Sequence, residues 1–158
     1  MGKVFSMESK NEVAKPLNIM LADDDLDDCS FFEKALAELS ITTSLDIVND
    51  GEQLMQFLYD DQNEIPHVLF LDINMPRKNG FECLAEIKAN DKLKTLPVVM
   101  FSTSNSHDKI NMLFKIGAHV YVHKPSGFEQ LVQVIQHALP MAAENIFSNG
   151  QLKYILNA

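Results

Sequence analysis

Five short apolar runs alternate with five longer stretches along most of the chain, and this rhythm constrains the fold more than any other feature of the sequence. The runs span residues 17–22, 44–48, 67–71, 97–101 and 118–122. Their nearly unbroken apolar character is typical of strands covered on both faces, as in a parallel sheet. The stretches between them space their apolar residues as amphipathic helices do, at about 26–39, 51–59, 81–87, 110–114 and 127–139. Strict alternation of strand and helix predicts an α/β fold.

Right-handed crossovers between parallel strands leave few ways to connect these elements. We expect a flavodoxin-like, doubly wound fold with five helices and a five-stranded parallel sheet in the order 2-1-3-4-5. Residues 16–139 would form this one domain, since a chain of 158 residues suits a single core. Residues 1–15 are polar and aperiodic, and we expect a flexible N-terminal arm. Residues 140–158 are apolar but too few for an output domain, so we interpret them as a C-terminal extension.

Charge and composition exclude several classes of function. The formal net charge of −9 argues against nucleic-acid binding. No apolar run approaches the roughly 20 residues that span a membrane, and the first residues make a poor signal peptide. Cys29 and Cys83 are too few for a disulfide framework and are predicted to be buried thiols. The sequence therefore predicts a cytoplasmic protein that binds neither nucleic acid nor membrane.

Chemically active side chains follow four of the predicted strands. They are Asp23, Asp24 and Asp25 after the first strand, Asp72 after the third, Ser102 after the fourth and Lys124 after the fifth. In an open parallel sheet, ligands bind beyond the carboxyl ends of the strands. Each residue alone is common as a helix cap, a turn residue or a solvated charge. Their joint occurrence at one edge of the sheet favours a functional site.

The charges of this group indicate what it binds. Two carboxylates about 4 Å apart repel each other by roughly 4 kcal/mol at an effective dielectric constant near 20. Lys124 supplies one positive charge, so a divalent cation with oxygen ligands is the natural complement. Mg²⁺ fits because it accepts one or two carboxylates, keeps several waters and binds phosphate oxygens. A carboxylate, a metal ion, a lysine and a hydroxyl together suit phosphoryl transfer to oxygen.

Four motifs carry a family resemblance, and they occur in the order IMLADDD, LFLDINMPRKNG, VVMFSTS and YVHKP. This pattern closely resembles bacterial response-regulator receiver domains over about residues 17–139, in particular the single-domain regulators of chemotaxis and phytochrome type. The resemblance implies that Asp72 is the phosphoacceptor. It also implies a site for Mg²⁺ (or Mn²⁺) formed by Asp24 directly, Asp23 chiefly through water, Asp72, and the backbone carbonyl of Asn74.

The same resemblance implies roles for residues around the acceptor. Ser102 would bond a phosphoryl oxygen, and Lys124 would pair with Asp72 and then with its phosphoryl group. Tyr121 would be the aromatic switch residue that turns inward when Ser102 moves toward the phosphoryl group. Pro125 would follow a cis peptide bond, and Gly80 would give the loop after Asp72 an unusual backbone geometry.

The function implied is that of a receiver that takes a phosphoryl group from a sensor histidine kinase or a histidine phosphotransfer protein. It would signal by altered binding of a downstream protein, with no enzymatic activity beyond Mg²⁺-dependent self-phosphorylation and autodephosphorylation. The position of Tyr121 suggests that the face formed by the fourth helix, fifth strand and fifth helix carries the change. A homodimer would use either this face or the C-terminal extension, and the sequence leaves both open.

Other readings fit the residues less well. A calcium loop starting at Asp23 would place Asp28 where glycine is needed and Lys34 where a bidentate glutamate is needed. Asp27 and Asp28 are instead interpreted as favouring the first turn of a helix. A phosphatase of the haloacid-dehalogenase type would need an acid where Asn74 stands. An unphosphorylated interaction module would be expected to lack parts of the site, and a transcription factor would need an output domain.

Overall fold

The structure is a computed structural model that describes residues 15–118, 120–143 and 154–156. Side chains are described for the first two segments up to residue 141. All but the last residue of the arm predicted for residues 1–15, and much of the extension predicted for 140–158, lie outside the described residues. No helix in the described part of the chain has the length and apolar character needed to cross a membrane.

Strands and helices alternate along the chain, as the apolar runs predict. The strands are β1 (Leu17–Ala22), β2 (Thr43–Val48), β3 (Val68–Leu71), β4 (Val98–Ser102) and β5 (Val120–His123). The helices are α1 (Leu26–Ala37), α2 (Gly51–Tyr59), α3 (Gly80–Ala89), α4 (His107–Ile116) and α5 (Phe128–Ala143). Side chains at the N-caps of the first four helices accept hydrogen bonds from backbone amides that would otherwise lack partners.

The sheet is parallel, and its first five strands have the predicted order β2-β1-β3-β4-β5. A sixth strand, β6 (Tyr154–Leu156), adds to the sheet beside β5 and is parallel to it. The prediction of five strands is therefore incomplete, because part of the C-terminal extension joins the sheet. Its Tyr-Ile-Leu sequence favours strand structure, and the open edge of β5 offers unpaired backbone groups.

Helix α5 continues through Pro140 to Ala143, beyond its predicted end at residue 139. A proline inside a helix removes one backbone hydrogen bond and is unfavourable by about 3 kcal/mol. The burial of Leu131, Ile135 and Leu139 on one face of α5 offsets this cost. The predicted boundary between domain and extension, at residues 139 and 140, therefore falls inside a helix.

The apolar core lies in two layers, one on each face of the sheet. On β1, Ile19 and Leu21 pack with residues of α1 and α5, whereas Met20 and Ala22 pack with residues of α2, α3 and α4. The inner strands β3 and β4 are buried along their whole length. This double cover explains the unbroken apolar runs and leaves the carboxyl ends of the strands as the place for polar chemistry.

Candidate functional site

Three carboxylates converge where β1 and β3 end. Ala22 and Leu71 are partners in the sheet, so Asp23 and Asp72 follow directly at the same edge. One carboxylate oxygen from each of Asp23, Asp24 and Asp72 lies within 4.8 Å of the others. Asp23 and Asp72 are buried and Asp24 is exposed. The structure thus brings together the acidic residues that the sequence predicts for a metal site.

Asp25 is the N-cap of α1, whereas Asp23 and Asp24 belong to the group of converging carboxylates. Its side chain caps α1 and accepts hydrogen bonds from the backbone amides of Asp27 and Asp28, at 2.9 and 3.1 Å. Its own amide donates to Oδ1 of Asp23 at 3.0 Å. The start of α1 therefore holds the Asp23 carboxylate in place.

Lys124 lies at the centre of the charges. Its Nζ contacts carboxylate oxygens of Asp23 at 2.7 Å, Asp28 at 3.0 Å and Asp72 at 3.5 Å. The backbone amide of Lys124 donates to the carbonyl of Ser102 at 2.8 Å, which anchors the start of this loop on β4. The predicted pairing of Lys124 with Asp72 is present in the structure, although it is the longest of the three contacts.

Asp28 is the member of this cluster that sequence reasoning missed. The sequence places it in the first turn of a helix, where an acidic residue is favourable whatever it contacts. The contact with Lys124 needs the packing of α1 beside the loop after β5, which a single sequence does not reveal.

Burial raises the pKa of both buried carboxylates. The pKa of Asp72 rises from 3.8 to about 6, because burial outweighs the lowering by Lys124 and by the backbone amides of Asn74 and Ile73. The pKa of Asp23 is also raised by burial, against the opposing effect of Lys124. Burial alone would lower the pKa of Lys124, but its bonds to Asp23 and Asp28 and the charge of Asp72 keep it above its ordinary value. Near neutral pH, Asp72 is therefore largely ionised and Lys124 is charged.

Ser102 and Tyr121 lie on the neighbouring strands β4 and β5, where Tyr121 pairs with Met100 and Ser102 pairs with His123. Ser102 is fully buried at the end of β4, and its Oγ accepts a hydrogen bond from the amide of Ser104 at 3.2 Å. Tyr121 is buried on β5, and its hydroxyl donates to the carbonyl of Ser104. Burial raises the pKa of Tyr121, against a lowering by hydrogen bonding with the Ser102 side chain. The two proposed switch residues thus share the loop that follows β4.

The cis bond expected before Pro125 is a wrong prediction. The described residues include no cis peptide bond. The trans form is intrinsically favoured before proline by about 0.5–1 kcal/mol. It is compatible here with the hydrogen bond from the Lys124 amide to Ser102 and with all three contacts of Nζ.

The expectation that Gly80 gives the loop after Asp72 an unusual backbone geometry is also wrong. Gly80 has no positive φ, whereas Arg77 in the same loop has φ of 71°. Arg77 is paired through Nε with Asp50 at 3.3 Å, which helps to hold this uncommon backbone conformation. Gly80 is needed for close approach, since a Cβ there would lie 2.3 Å from the carbonyl oxygen of Asp72.

The donor set of the acidic group fits a divalent cation. Asp23, Asp24 and Asp72 offer hard oxygen ligands, which Mg²⁺ and Mn²⁺ accept. Lys124 balances part of their charge, and Asp24 is exposed, so water can reach its carboxylate. The backbone amide of Asn74 donates to the Asp72 carboxylate, so the loop after β3 lies beside the candidate metal site.

Known proteins similar to this chain include several response regulators. Residues 19–136 match the sequence model of the family described as "Response regulator receiver domain". The chain is 32% identical over 130 residues to Response regulator Rcp1 of Synechocystis sp., covering 80% of this chain and 88% of Rcp1. The crystal structure of the Mn²⁺-bound form of Rcp1 has a TM-score of 0.72 and covers 77% of this chain and 91% of that one. The crystal structure of the phosphorylated cyanobacterial phytochrome response regulator RcpA has a TM-score of 0.73 at 30% identity, covering 82% and 95%. The chain belongs to the receiver-domain family of two-component response regulators.

Proposed function

We propose that this receiver accepts a phosphoryl group on Asp72 in a Mg²⁺-dependent reaction. The observation that carries the proposal is the place of the Asp72 carboxylate, beside the acidic residues Asp23 and Asp24 and within 3.5 Å of the ammonium of Lys124. A largely ionised carboxylate beside a cation site and a lysine is an oxygen nucleophile equipped for phosphoryl transfer. The phosphorylated state of RcpA and the Mn²⁺-bound state of Rcp1 support this proposal from similar proteins.

The donor would be a phosphohistidine of a sensor kinase or of a phosphotransfer protein. An oxygen of Asp72 attacks phosphorus, the phosphorus–oxygen bond forms, the phosphorus–nitrogen bond breaks, and the imidazole leaves. A divalent cation held by Asp23, Asp24, Asp72 and the carbonyl of Asn74 would supply neutralisation of the phosphoryl charge. Lys124 donates to one phosphoryl oxygen and Ser102 donates to another.

The output would be altered protein binding rather than catalysis. Ser102 and Tyr121 both contact Ser104, so movement of Ser102 toward a phosphoryl group changes the surroundings of the Tyr121 hydroxyl. The face formed by α4, β5 and α5, in which β6 covers the edge of β5, would carry this change to a downstream protein or to a second copy of the chain. Tyr121→Ala is expected to weaken phosphorylation-dependent binding of the partner. Unchanged affinity, with phosphorylation intact, would count against this face.

Intact-protein mass after incubation with Mg²⁺ and acetyl phosphate tests the proposal. One added phosphoryl group is expected in the wild type, and none in Asp72→Asn or after chelation of the metal. Asp46→Asn is a matched control, because Asp46 is an exposed aspartate on β2, away from the site. Absence of the adduct from the wild type, together with no response to Mg²⁺ and beryllofluoride by NMR, would favour an unphosphorylated interaction module.

A further inference from the structure

The contact between Asp28 and Lys124 is the part of the site that the proposed chemistry does not use. Lys124 has three N–H donors, and its Nζ meets three carboxylates. Asp23 and Asp72 belong to the cation and acceptor positions. Asp28 comes from a different element, the first turn of α1, and stands at 3.0 Å from Nζ.

The distances show where the ammonium is held. Nζ is nearer to Asp23 and Asp28, at 2.7 and 3.0 Å, than to Asp72 at 3.5 Å. Asp28 is itself well fixed, because its backbone amide is bonded to the capping side chain of Asp25. Its side chain is 41% exposed, whereas that of Lys124 is 9% exposed. A half-exposed carboxylate on a fixed backbone thus contacts the buried ammonium at a shorter distance than the acceptor does.

The charge of Asp28, like its position, disfavours a phosphoryl group on Asp72. A phosphoryl group on Asp72 brings about two negative charges and needs a donor from Lys124. Asp28 neutralises part of the lysine charge and repels the incoming group. Both effects favour the unphosphorylated state.

We propose that Asp28 is a positioning residue that acts through Lys124, and that a phosphoryl group on Asp72 must compete with Asp28 for the ammonium. This inference rests on the proposed function, since it concerns the phosphorylated state of Asp72. It assigns to the first turn of α1 a role in setting how readily the receiver holds a phosphoryl group. Removal of the Asp28 charge therefore favours the phosphorylated form.

The test compares Asp28→Asn with Asp27→Asn in the full chain. Asp27 lies in the same helical turn and is exposed, and within the described residues its carboxylate is not a partner of Lys124. Binding of beryllofluoride in the presence of Mg²⁺ is measured by NMR titration. Asp28→Asn is expected to bind about fivefold more tightly than the wild type, the size expected for one partly exposed ion pair. Asp27→Asn is expected to bind beryllofluoride with the affinity of the wild type. Asp28→Glu is expected to have an affinity between those of Asp28→Asn and the wild type.

A second readout follows the lysine directly. The ¹⁵N-labelled ammonium resonance of Lys124, recorded without beryllofluoride, is expected to shift in Asp28→Asn and to stay in place in Asp27→Asn. Equal affinity in the two variants, weaker binding in Asp28→Asn, or an unmoved resonance would each overturn the inference. If the wild type and Asp27→Asn also bind no beryllofluoride, the proposed function itself fails and the inference falls with it.

Discussion

At the scale of single residues, two side chains of this site are unfavourable for the stability of the folded protein. Asp23 and Asp72 are carboxylates in a buried place, and burial raises the pKa of each. Lys124 offsets part of this cost through its contacts with both. Strongly shifted ionisable groups in a cleft are typical of functional sites. The energetics of these residues therefore agree with a site selected for phosphoryl chemistry rather than for stability.

The raised pKa of Asp72 predicts how stability depends on pH in the metal-free protein. The pKa is about 6 in the folded state and 3.8 in its ordinary state, so between these values the folded protein binds more protons than the unfolded chain. Stability conferred by the protonated carboxyl is thus present below pH 4 and lost as pH rises to 6. Asp72→Asn is expected to raise the free energy of unfolding by about 1–3 kcal/mol at pH 7.5, and by much less at pH 4.

Urea unfolding with a chelator at both pH values checks this prediction, with Asp46→Asn as the control for loss of one exposed carboxylate. A stability gain in Asp72→Asn that is equal at pH 4 and pH 7.5 would contradict the account. So would a variant less stable than the wild type at pH 7.5.

Much of the site could be predicted from residues at strand ends. Asp23, Asp72 and Lys124 follow runs that are plainly strands, and parallel strands end at one edge of the sheet. Asp28 could not be predicted, because its contact depends on how α1 packs beside another loop. The positive φ of Arg77 has no signal in residue type, since arginine is not favoured in that conformation.

At the scale of elements, the apolar periodicity predicts the helices and strands well but not where α5 ends. A proline usually marks the end of a helix, yet α5 passes through Pro140 because its apolar face remains buried. The strand β6 spans residues 154–156, which is too short for periodicity to identify. It also pairs with β5 across a long separation in sequence. Tertiary context decides both features.

The pairing of β6 with β5 gives a prediction for the edge of the sheet. A chain that ends at Ala143 lacks β6, so β5 becomes an edge strand. Amides of β5 that face β6 are expected to exchange with solvent at least tenfold faster, since their hydrogen-bond partners are gone. Exchange along β2, the opposite edge, is the internal control and should stay the same. Unchanged exchange in β5 would contradict the pairing.

At the scale of the whole molecule, the packed sheet carries charged side chains along one edge. Two apolar layers fix the strands, and the strands fix the ends from which Asp23, Asp72 and Lys124 project. The proposed binding face of α4, β5 and α5 lies next to the same edge, and the buried Tyr121 belongs to its strand β5. A chemical change on one carboxylate can therefore reach the proposed binding face over a short path of packed residues.

Chemical mapping of the phosphorylated residue tests the central claim most directly. The protein is treated with Mg²⁺ and acetyl phosphate, reduced with borohydride, digested and examined by peptide mass spectrometry. Reduction of an aspartyl phosphate yields homoserine, so the account predicts homoserine at position 72, only in samples that received both the metal and the phosphodonor. Homoserine at Asp23, Asp24 or Asp28 instead of position 72, or at no position, would contradict it.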